Sequence, residues 1–202
     1  LFLRLLKPGG RAAVIVPVGV LFGLELTMTP FSFHPTYREM AKLPLAEKLA
    51  RLRDPAVRAQ LLSEDPNDGA RGMVQAWDQM HLMAAEPDYE PTEESTVAFQ
   101  ARARGLSNEA VALDHMLSQD GKGMLYVPFL NYADGSLDAA YEMLTDPNTV
   151  PGLSDGGAHV GMICDGSFPT SLLTHWTRDR TRGPKLPLEA VIRMQCRVTA
   201  ES

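Results

Sequence analysis

The feature that most constrains this fold is the alternation of short apolar segments with longer segments of helical spacing. Residues 12–16, 124–129 and 149–153 are short and apolar, as is typical of buried strands. Helices are predicted at residues 37–43, 45–53, 55–63, 92–103, 108–117, 136–144, 169–178 and 188–198, with a further helix near residues 74–80. Because helical sequence follows each strand and must cross back over the sheet, we expect the three strands to lie parallel in an α/β fold.

The boundary between the helices at residues 45–53 and 55–63 is well marked. Asp54 offers a side-chain oxygen as an N-cap, and Pro55 takes the first helical position. The missing N–H of proline costs no hydrogen bond there, so a new helix is predicted to begin at Pro55.

The composition excludes several classes of protein. Of the 202 residues, 45% are hydrophobic and 22% are charged, which indicates a globular rather than a disordered chain. The longest apolar run, residues 12–23, contains Pro17 and Gly19 and is shorter than the roughly 20 residues that span a bilayer, so we expect no membrane span. The net charge of -6 argues against a nucleic-acid partner. With only Cys164 and Cys196 there is no disulfide framework, and we expect a cytoplasmic location.

The sharpest local signal is Gly-Leu-Ser-Asp-Gly-Gly-Ala-His at residues 152–159, directly after an apolar segment. It places Asp155 and His159 at the predicted C-terminal end of a strand, where barrel enzymes expose reactive groups. An aspartate there could ligate a metal and accept a proton from metal-bound water. The alternative is that Asp155 caps a turn and His159 packs against it.

Several motifs together resemble the amidohydrolase superfamily, in particular its N-acyl-D-amino-acid deacylase (D-aminoacylase) branch. They are the segment just described, Ile-Cys-Asp-Gly-Ser-Phe-Pro-Thr at residues 163–170, and Leu-Thr-His-Trp-Thr-Arg-Asp-Arg-Thr-Arg-Gly at residues 173–183. Residues 17–25, 37–58, 131–132 and 186–200 are also similar to that branch. The resemblance implies the C-terminal portion of a (β/α)8 TIM barrel and a metal-dependent hydrolase of amide C–N bonds other than peptide bonds.

The resemblance also implies roles for single residues. Asp155 matches the aspartate that binds the catalytic metal, expected to be zinc, and that shuttles the proton. Asn131, His159 and Asp165 are predicted to bind an N-acylated amino-acid-like substrate; the alternative for Asn131 and Asp165 is a role in forming turns. Cys164, beside Ile163, is expected to be a small core residue.

The superfamily's other metal ligands are not found in this sequence. No His-x-His pair occurs, and the five histidines are scattered at His34, His81, His115, His159 and His175. A hydrolytic zinc normally has three protein ligands, so we expect the isolated chain to be inactive and its partner to be a missing N-terminal part of the barrel. The chain is also shorter than the ~250 residues of a complete barrel. We therefore interpret residues 1–202 as a single partial domain, with residues 64–91 an insertion or loop and residues 1–16 divergent or of separate origin.

The arginines near the C-terminus allow two interpretations. His175 and Trp176 are followed by Arg178, Asp179, Arg180 and Arg182. The arginines could form a fork that recognises a substrate carboxylate. The interpretation that we favour is a solvated helix end, where cations offset the helix dipole.

Two other functional hypotheses stay open at this point. Residues 5–23 resemble the helix, turn and strand of S-adenosylmethionine-dependent N6-adenine DNA methylases, although neither an Asn-Pro-Pro-Tyr motif nor a glycine-rich cofactor loop is present. The chain could also be a non-catalytic scaffold fragment.

Overall fold

The computed structural model describes residues 21–24, 26, 29–65, 75–128, 132, 134–152, 167–198 and 200. In chain order the elements are β1 (Leu21–Leu24), α1 (Pro35–Met40), α2 (Leu45–Arg53), α3 (Pro55–Ser63), β2 (His81–Leu82), α4 (Val97–Arg104), α5 (Asn108–Gly121), β3 (Leu125–Pro128), α6 (Asp138–Thr145), α7 (Phe168–Thr174) and α8 (Leu188–Arg193). A 3-10 turn at Glu93–Ser95 precedes α4. Wider π-helical turns, His175–Asp179 and Met194–Val198, extend α7 and α8.

The described sheet has three strands in the order β1-β3-β2, and both pairs are antiparallel. Leu21 pairs with Pro128, and Leu24 pairs with Leu125. On the other side of β3, His81 pairs with Tyr126. The central strand β3 is buried along its whole length, which explains its continuous apolar sequence.

The structure corrects one of the three predicted strands. Of the three predicted strands, residues 124–129 contain β3, residues 12–16 lie outside the described residues, and the described residues 149–152 are not a strand. The backbone N–H of Thr149 instead donates to Asp146 O, which continues the turn after α6. The predicted strand at residues 149–153 is therefore wrong over its described part. The described sheet is antiparallel and contains one of the three predicted strands, so the parallel arrangement expected among those three stays a prediction. The mixed content of helices and strands agrees with an α/β fold, while the partial barrel is not confirmed.

Most predicted helices are confirmed. The predictions at residues 45–53 and 55–63 agree with α2 and α3 at both ends. Asp54 caps α3 as expected, since its Oδ1 accepts hydrogen bonds from the N–H of Ala56 (2.8 Å) and Val57 (3.2 Å). The helix predicted near residues 74–80 is wrong over its described part, where residues 77–79 form a turn. In the part of the chain that the structure describes, no helix combines the length and the apolar character needed to cross a bilayer.

The core consists of two hydrophobic clusters. The first lies among β3, α1, α2 and α5, and its most buried members include Tyr37, Leu52, Leu113, Met116 and Leu125. The second follows β3 in the chain and is built by α6, α7 and α8 around Tyr132, Ala140, Leu172, Trp176 and Val191. The loop between β2 and the 3-10 turn, residues 83–92, reaches from the first cluster to the second through Glu90, whose carboxylate accepts from the Leu137 N–H.

Candidate functional site

A buried ion pair joins two segments that are far apart in the sequence. The side chains of Glu90 and Arg180 are 2% and 0% exposed. Nε of Arg180 donates to Oε2 of Glu90 (2.9 Å), and Nη2 donates to Oε1 (3.1 Å), so the pair is bidentate. The Leu137 backbone N–H donates to the same Oε1 at 3.0 Å. Burial opposes the charged form of Glu90, but the hydrogen bonds from Arg180 and Leu137, with the positive charge of Arg180, lower its pKa below the ordinary value.

Every side of the Arg180 guanidinium is occupied. Nη2 also donates to Oδ1 of Asp138 at the start of α6 (2.7 Å), and Nη1 donates to Pro184 O (2.9 Å). The guanidinium carbon lies 4.8 Å from the centre of the Trp176 ring, which gives a cation–π contact. A Cβ at Gly183 would overlap this guanidinium, so glycine is required there for the close approach. Arg180 is thus a structural cation with fixed partners.

Arg182 makes a second set of contacts to the loop at residues 83–92 and to Tyr132. Its Nη1 donates to Glu90 O (2.8 Å) and to the hydroxyl oxygen of Tyr132 (2.9 Å). The Tyr132 hydroxyl in turn donates to Pro91 O at 2.7 Å. Burial raises the pKa of Tyr132 to about 12, so its hydroxyl remains a donor at neutral pH. The loop at residues 83–92 is therefore fixed by its side chain at Glu90 and by its backbone at residues 90 and 91.

His175 lies beside this ion pair with an unused nitrogen. Its ring is 5.4 Å from the Tyr89 ring and contacts Trp176 edge-on. Nε2 is 3.4 Å from Oε2 of Glu90, but the geometry is not that of a hydrogen bond, and Nε2 has no hydrogen-bond partner among the described residues. Burial, reinforced by the positive charge of Arg180, lowers the pKa of His175 despite the nearby carboxylates. His175 is therefore neutral at pH 7.

The structure corrects the interpretation of the C-terminal arginines as a solvated helix end. Only Arg178 fits it, since this exposed side chain pairs with its neighbour Asp179. Arg180 is fully buried, and Nη1 of Arg182 donates to the protein itself. A carboxylate-binding fork of these three arginines is not formed. Glu90 was missed because its partner Arg180 is 90 residues away, and no local pattern marks that pairing.

Asp155, Asn131, His159 and Asp165, as well as Cys164, lie outside the described residues. The remaining histidines are buried or half-buried in separate places: Nδ1 of His34 is 3.2 Å from Leu61 O, Nδ1 of His81 is 2.9 Å from Oγ of Ser95, and Nε2 of His115 is 2.9 Å from Met124 O. His34, His81 and His115 thus have separate structural partners.

Comparison with known families decides the class of the protein. The model of the amidohydrolase family (Amidohydro_3) matches residues 2–202. The chain belongs to the amidohydrolase family. The match supports a hydrolase activity in general. It does not confirm the deacylase branch or the methylase resemblance of residues 5–23. Comparisons with curated proteins and with solved structures return no match.

Metal ions are common in this family, but the described part of the amidohydrolase has no metal centre. No three histidine, cysteine, aspartate or glutamate side chains lie close enough there to hold an ion. The carboxylates of Glu90 and Asp138, near His175, are both bound by the Arg180 guanidinium. These residues therefore do not fit a metal site.

Proposed function

We propose that this amidohydrolase cleaves amide C–N bonds other than peptide bonds, with N-acyl-D-amino acids or closely similar compounds as substrates. The observation that carries the proposal is the family match over residues 2–202. The resemblance of residues 152–159, 163–170 and 173–183 to the D-aminoacylase branch supports the choice of substrate class.

Asp155 is the residue to which the proposal gives the chemistry. As a general base it accepts a proton from the attacking water, and as the conjugate acid it delivers that proton to the leaving nitrogen. The amide C–N bond breaks, and the products are a carboxylic acid and a free amine. Asn131, His159 and Asp165 are proposed to contact the substrate around the scissile bond.

We propose further that the chain needs a partner segment for activity. The described residues hold no metal centre, and the sequence has no His-x-His pair. The remaining ligands of the expected zinc are therefore assigned to an N-terminal part of the barrel. The 202-residue chain alone should then bind zinc no more tightly than micromolar.

The test compares two proteins: the 202-residue chain and the product of the complete reading frame that contains it. Each is incubated with N-acetyl-D-leucine, N-acetyl-L-leucine and a dipeptide, with zinc and with a chelator, and the released amino acid is measured by chromatography. We expect the complete product to hydrolyse the N-acetyl-D-amino acid and to leave the dipeptide intact, and the chain alone to be inactive.

Each proposal has its own contradicting result. Preference of the complete product for the L-enantiomer or the dipeptide would overturn the substrate class. Hydrolysis by the 202-residue chain alone would support the hydrolase but overturn the need for a partner segment. A complete product that cleaves no acylated amino acid under any condition would overturn the proposed activity.

A further inference from the structure

An open cavity lies at the edge of the first hydrophobic cluster and shares no residue with the contacts of Arg180. It is lined by residues 75–79, by Ala98 and Arg102 of α4, and by Asn108 at the start of α5. Its volume is about 340 Å³, at the lower end of the range of about 300–1,000 Å³ that is usual for small-molecule sites. The cavity therefore has room for a small ligand only.

The apolar part of the lining is formed by Trp77 and Ala98. Trp77 is half-buried and packs against the first cluster. Ala98 is buried, and its backbone N–H donates to Trp77 O at 3.1 Å, which fixes the turn at residues 77–79 to α4. An aromatic ring beside a small side chain offers contact area to an apolar group of a ligand.

Opposite charges at the cavity do not form a close pair with each other. Nη1 of Arg102 is 3.8 Å from Oδ1 of Asp78, and Nη2 of Arg102 is 3.6 Å from Oε1 of Glu93, so neither contact is a hydrogen bond. Among the described residues, the Arg102 guanidinium donates no hydrogen bond and the Asp78 carboxylate accepts none. By contrast, four hydrogen bonds hold the guanidinium of Arg180. The donors of Arg102 and the acceptors of Asp78 are thus available to a ligand.

We propose that this cavity binds a free α-amino acid with an apolar side chain. The α-carboxylate of the ligand accepts hydrogen bonds from the planar guanidinium of Arg102, whose fork of N–H groups matches a carboxylate. The α-ammonium group donates to the carboxylate of Asp78, and the apolar side chain packs against Trp77 and Ala98. The site is independent of the proposed hydrolase function, because none of these residues is assigned to that chemistry.

The two neighbouring charges favour a zwitterion over simpler ions. A carboxylic acid anion without an amino group is attracted by Arg102 but repelled by Asp78 and Glu93, and an amine without a carboxylate is repelled by Arg102. An α-amino acid carries both charges close together, so each of them meets its opposite. The side-chain amides of Gln79 and Asn108 line the same cavity and bind no other described residue, so they add neutral donors and acceptors.

Titration of the whole 202-residue chain with L-leucine and with D-leucine tests the site, with the NMR signals of the indole N–H groups as the readout. The sequence has two tryptophans, and Trp77→Phe assigns their signals by removing one of them. Trp176 is buried in the second cluster and is the internal reference. We expect one or both enantiomers to shift the Trp77 signal saturably, with a Kd on the order of 1 mM or below, while the Trp176 signal stays in place.

Two analogues test the recognition of both charges. 4-Methylpentanoate is leucine without its amino group, and 3-methylbutylamine is leucine without its carboxylate. Both keep the apolar group, so a site that needs only the apolar contact would bind them as well as it binds leucine. We expect each analogue to bind about tenfold more weakly than leucine, or weaker still.

Variants assign the two charges to their residues. Arg102→Gln should weaken leucine binding by about tenfold or more, because the carboxylate loses its cation. Arg104→Gln is the matched control on the same helix, since Arg104 binds Gln100 and does not line the cavity, and it should keep the wild-type Kd. Asp78→Asn should weaken the binding of leucine but strengthen that of 4-methylpentanoate, because it removes an ammonium partner and a repelling charge together.

Four results would overturn the proposal. The first is a Trp77 signal that neither enantiomer of leucine shifts. The second is binding of 4-methylpentanoate as tight as that of leucine, and the third is an Arg102→Gln variant with the wild-type Kd. The fourth is an equal shift of the Trp77 and Trp176 signals, which would show a general effect of the added amino acid rather than binding in the cavity.

Discussion

At the scale of single residues, the Glu90–Arg180 pair is a buried, bidentate ion pair at the boundary of the two clusters. The sequence could not predict it, because nothing local distinguishes Arg180 from the exposed Arg178 two positions earlier. Both arginines are in the same polar run, yet the side chain of Arg178 is 72% exposed and that of Arg180 is 0% exposed. Only the fold, which brings residue 90 to residue 180, separates them.

Arg180→Met is expected to lower the free energy of unfolding by about 3–5 kcal/mol, because it leaves the Glu90 carboxylate buried without its bidentate partner. Arg178→Met is the matched control, since it removes an exposed ion pair with Asp179, and we expect no measurable change. Urea denaturation followed by circular dichroism provides the comparison. Equal stabilities of the two variants would show that the buried pair contributes little.

Gly183→Ala tests the packing around the same guanidinium. The new methyl group would overlap the Arg180 guanidinium, which four hydrogen bonds and its burial hold in place, so we expect a loss of about 1–3 kcal/mol. Gly152→Ala is the control, because a Cβ at Gly152 has nothing within 4 Å. Thermal unfolding compares the stabilities of the two variants. A Gly183→Ala protein as stable as Gly152→Ala would mean that the Arg180 side chain moves aside freely.

At the scale of elements, local signals were sufficient for the helices and insufficient for the sheet. The Asp54-Pro55 pair predicts both the end of α2 and the start of α3 because capping depends on neighbours in the sequence. By contrast, β1 and β2 have four and two residues, too few for a periodic pattern. Their antiparallel pairing with β3 depends on contacts between distant residues, so neither strand was predicted from the sequence.

The Asp54 cap gives a prediction at this scale. Asp54→Ala removes the acceptor of the Ala56 and Val57 N–H groups and should cost about 1 kcal/mol. Asp54→Asn keeps an acceptor oxygen and should have nearly the stability of the parent protein. If chemical denaturation shows both variants equally destabilised, the charge of Asp54 matters rather than its hydrogen bonds.

At the scale of the whole molecule, buried neutral histidines make the stability depend on pH. Burial is the main cause that lowers the pKa values of His81, His115 and His175 in the folded state. Below about pH 6.5 the unfolded chain binds protons at these positions that the folded chain does not bind, so stability rises with pH and is lost on acidification.

We therefore expect the free energy of unfolding to fall between pH 7 and pH 5, with each histidine contributing at most ~1.4 kcal/mol per pH unit. Urea unfolding curves at half-unit intervals measure the slope. Replacing His81 by Gln removes one of these protons, so the free energy of unfolding should then depend on pH less steeply, by at most ~1.4 kcal/mol per pH unit. Stability that is constant or rises towards pH 5 would contradict the assignment of these histidines as neutral in the folded protein.

The candidate catalytic site is the part of the molecule for which the sequence carries most of the argument. Asp155, Asn131, His159 and Asp165 lie outside the described residues, so their proposed roles rest on the resemblance of the sequence motifs. The described structure gives the elements that precede and follow them in the sequence, β3 and α7, and the arginine contacts beside the second cluster.

The most direct test of this account is the kcat of Asp155→Asn in the complete protein. Asparagine keeps the shape of the side chain but cannot accept and return a proton, so we expect kcat for an N-acyl-D-amino acid to fall by about 10²–10⁴-fold with a smaller effect on KM. Asp134→Asn, at an exposed turn, is the control and should keep the parental kcat. An Asp155→Asn protein with parental kcat and full metal content would contradict the catalytic role of Asp155.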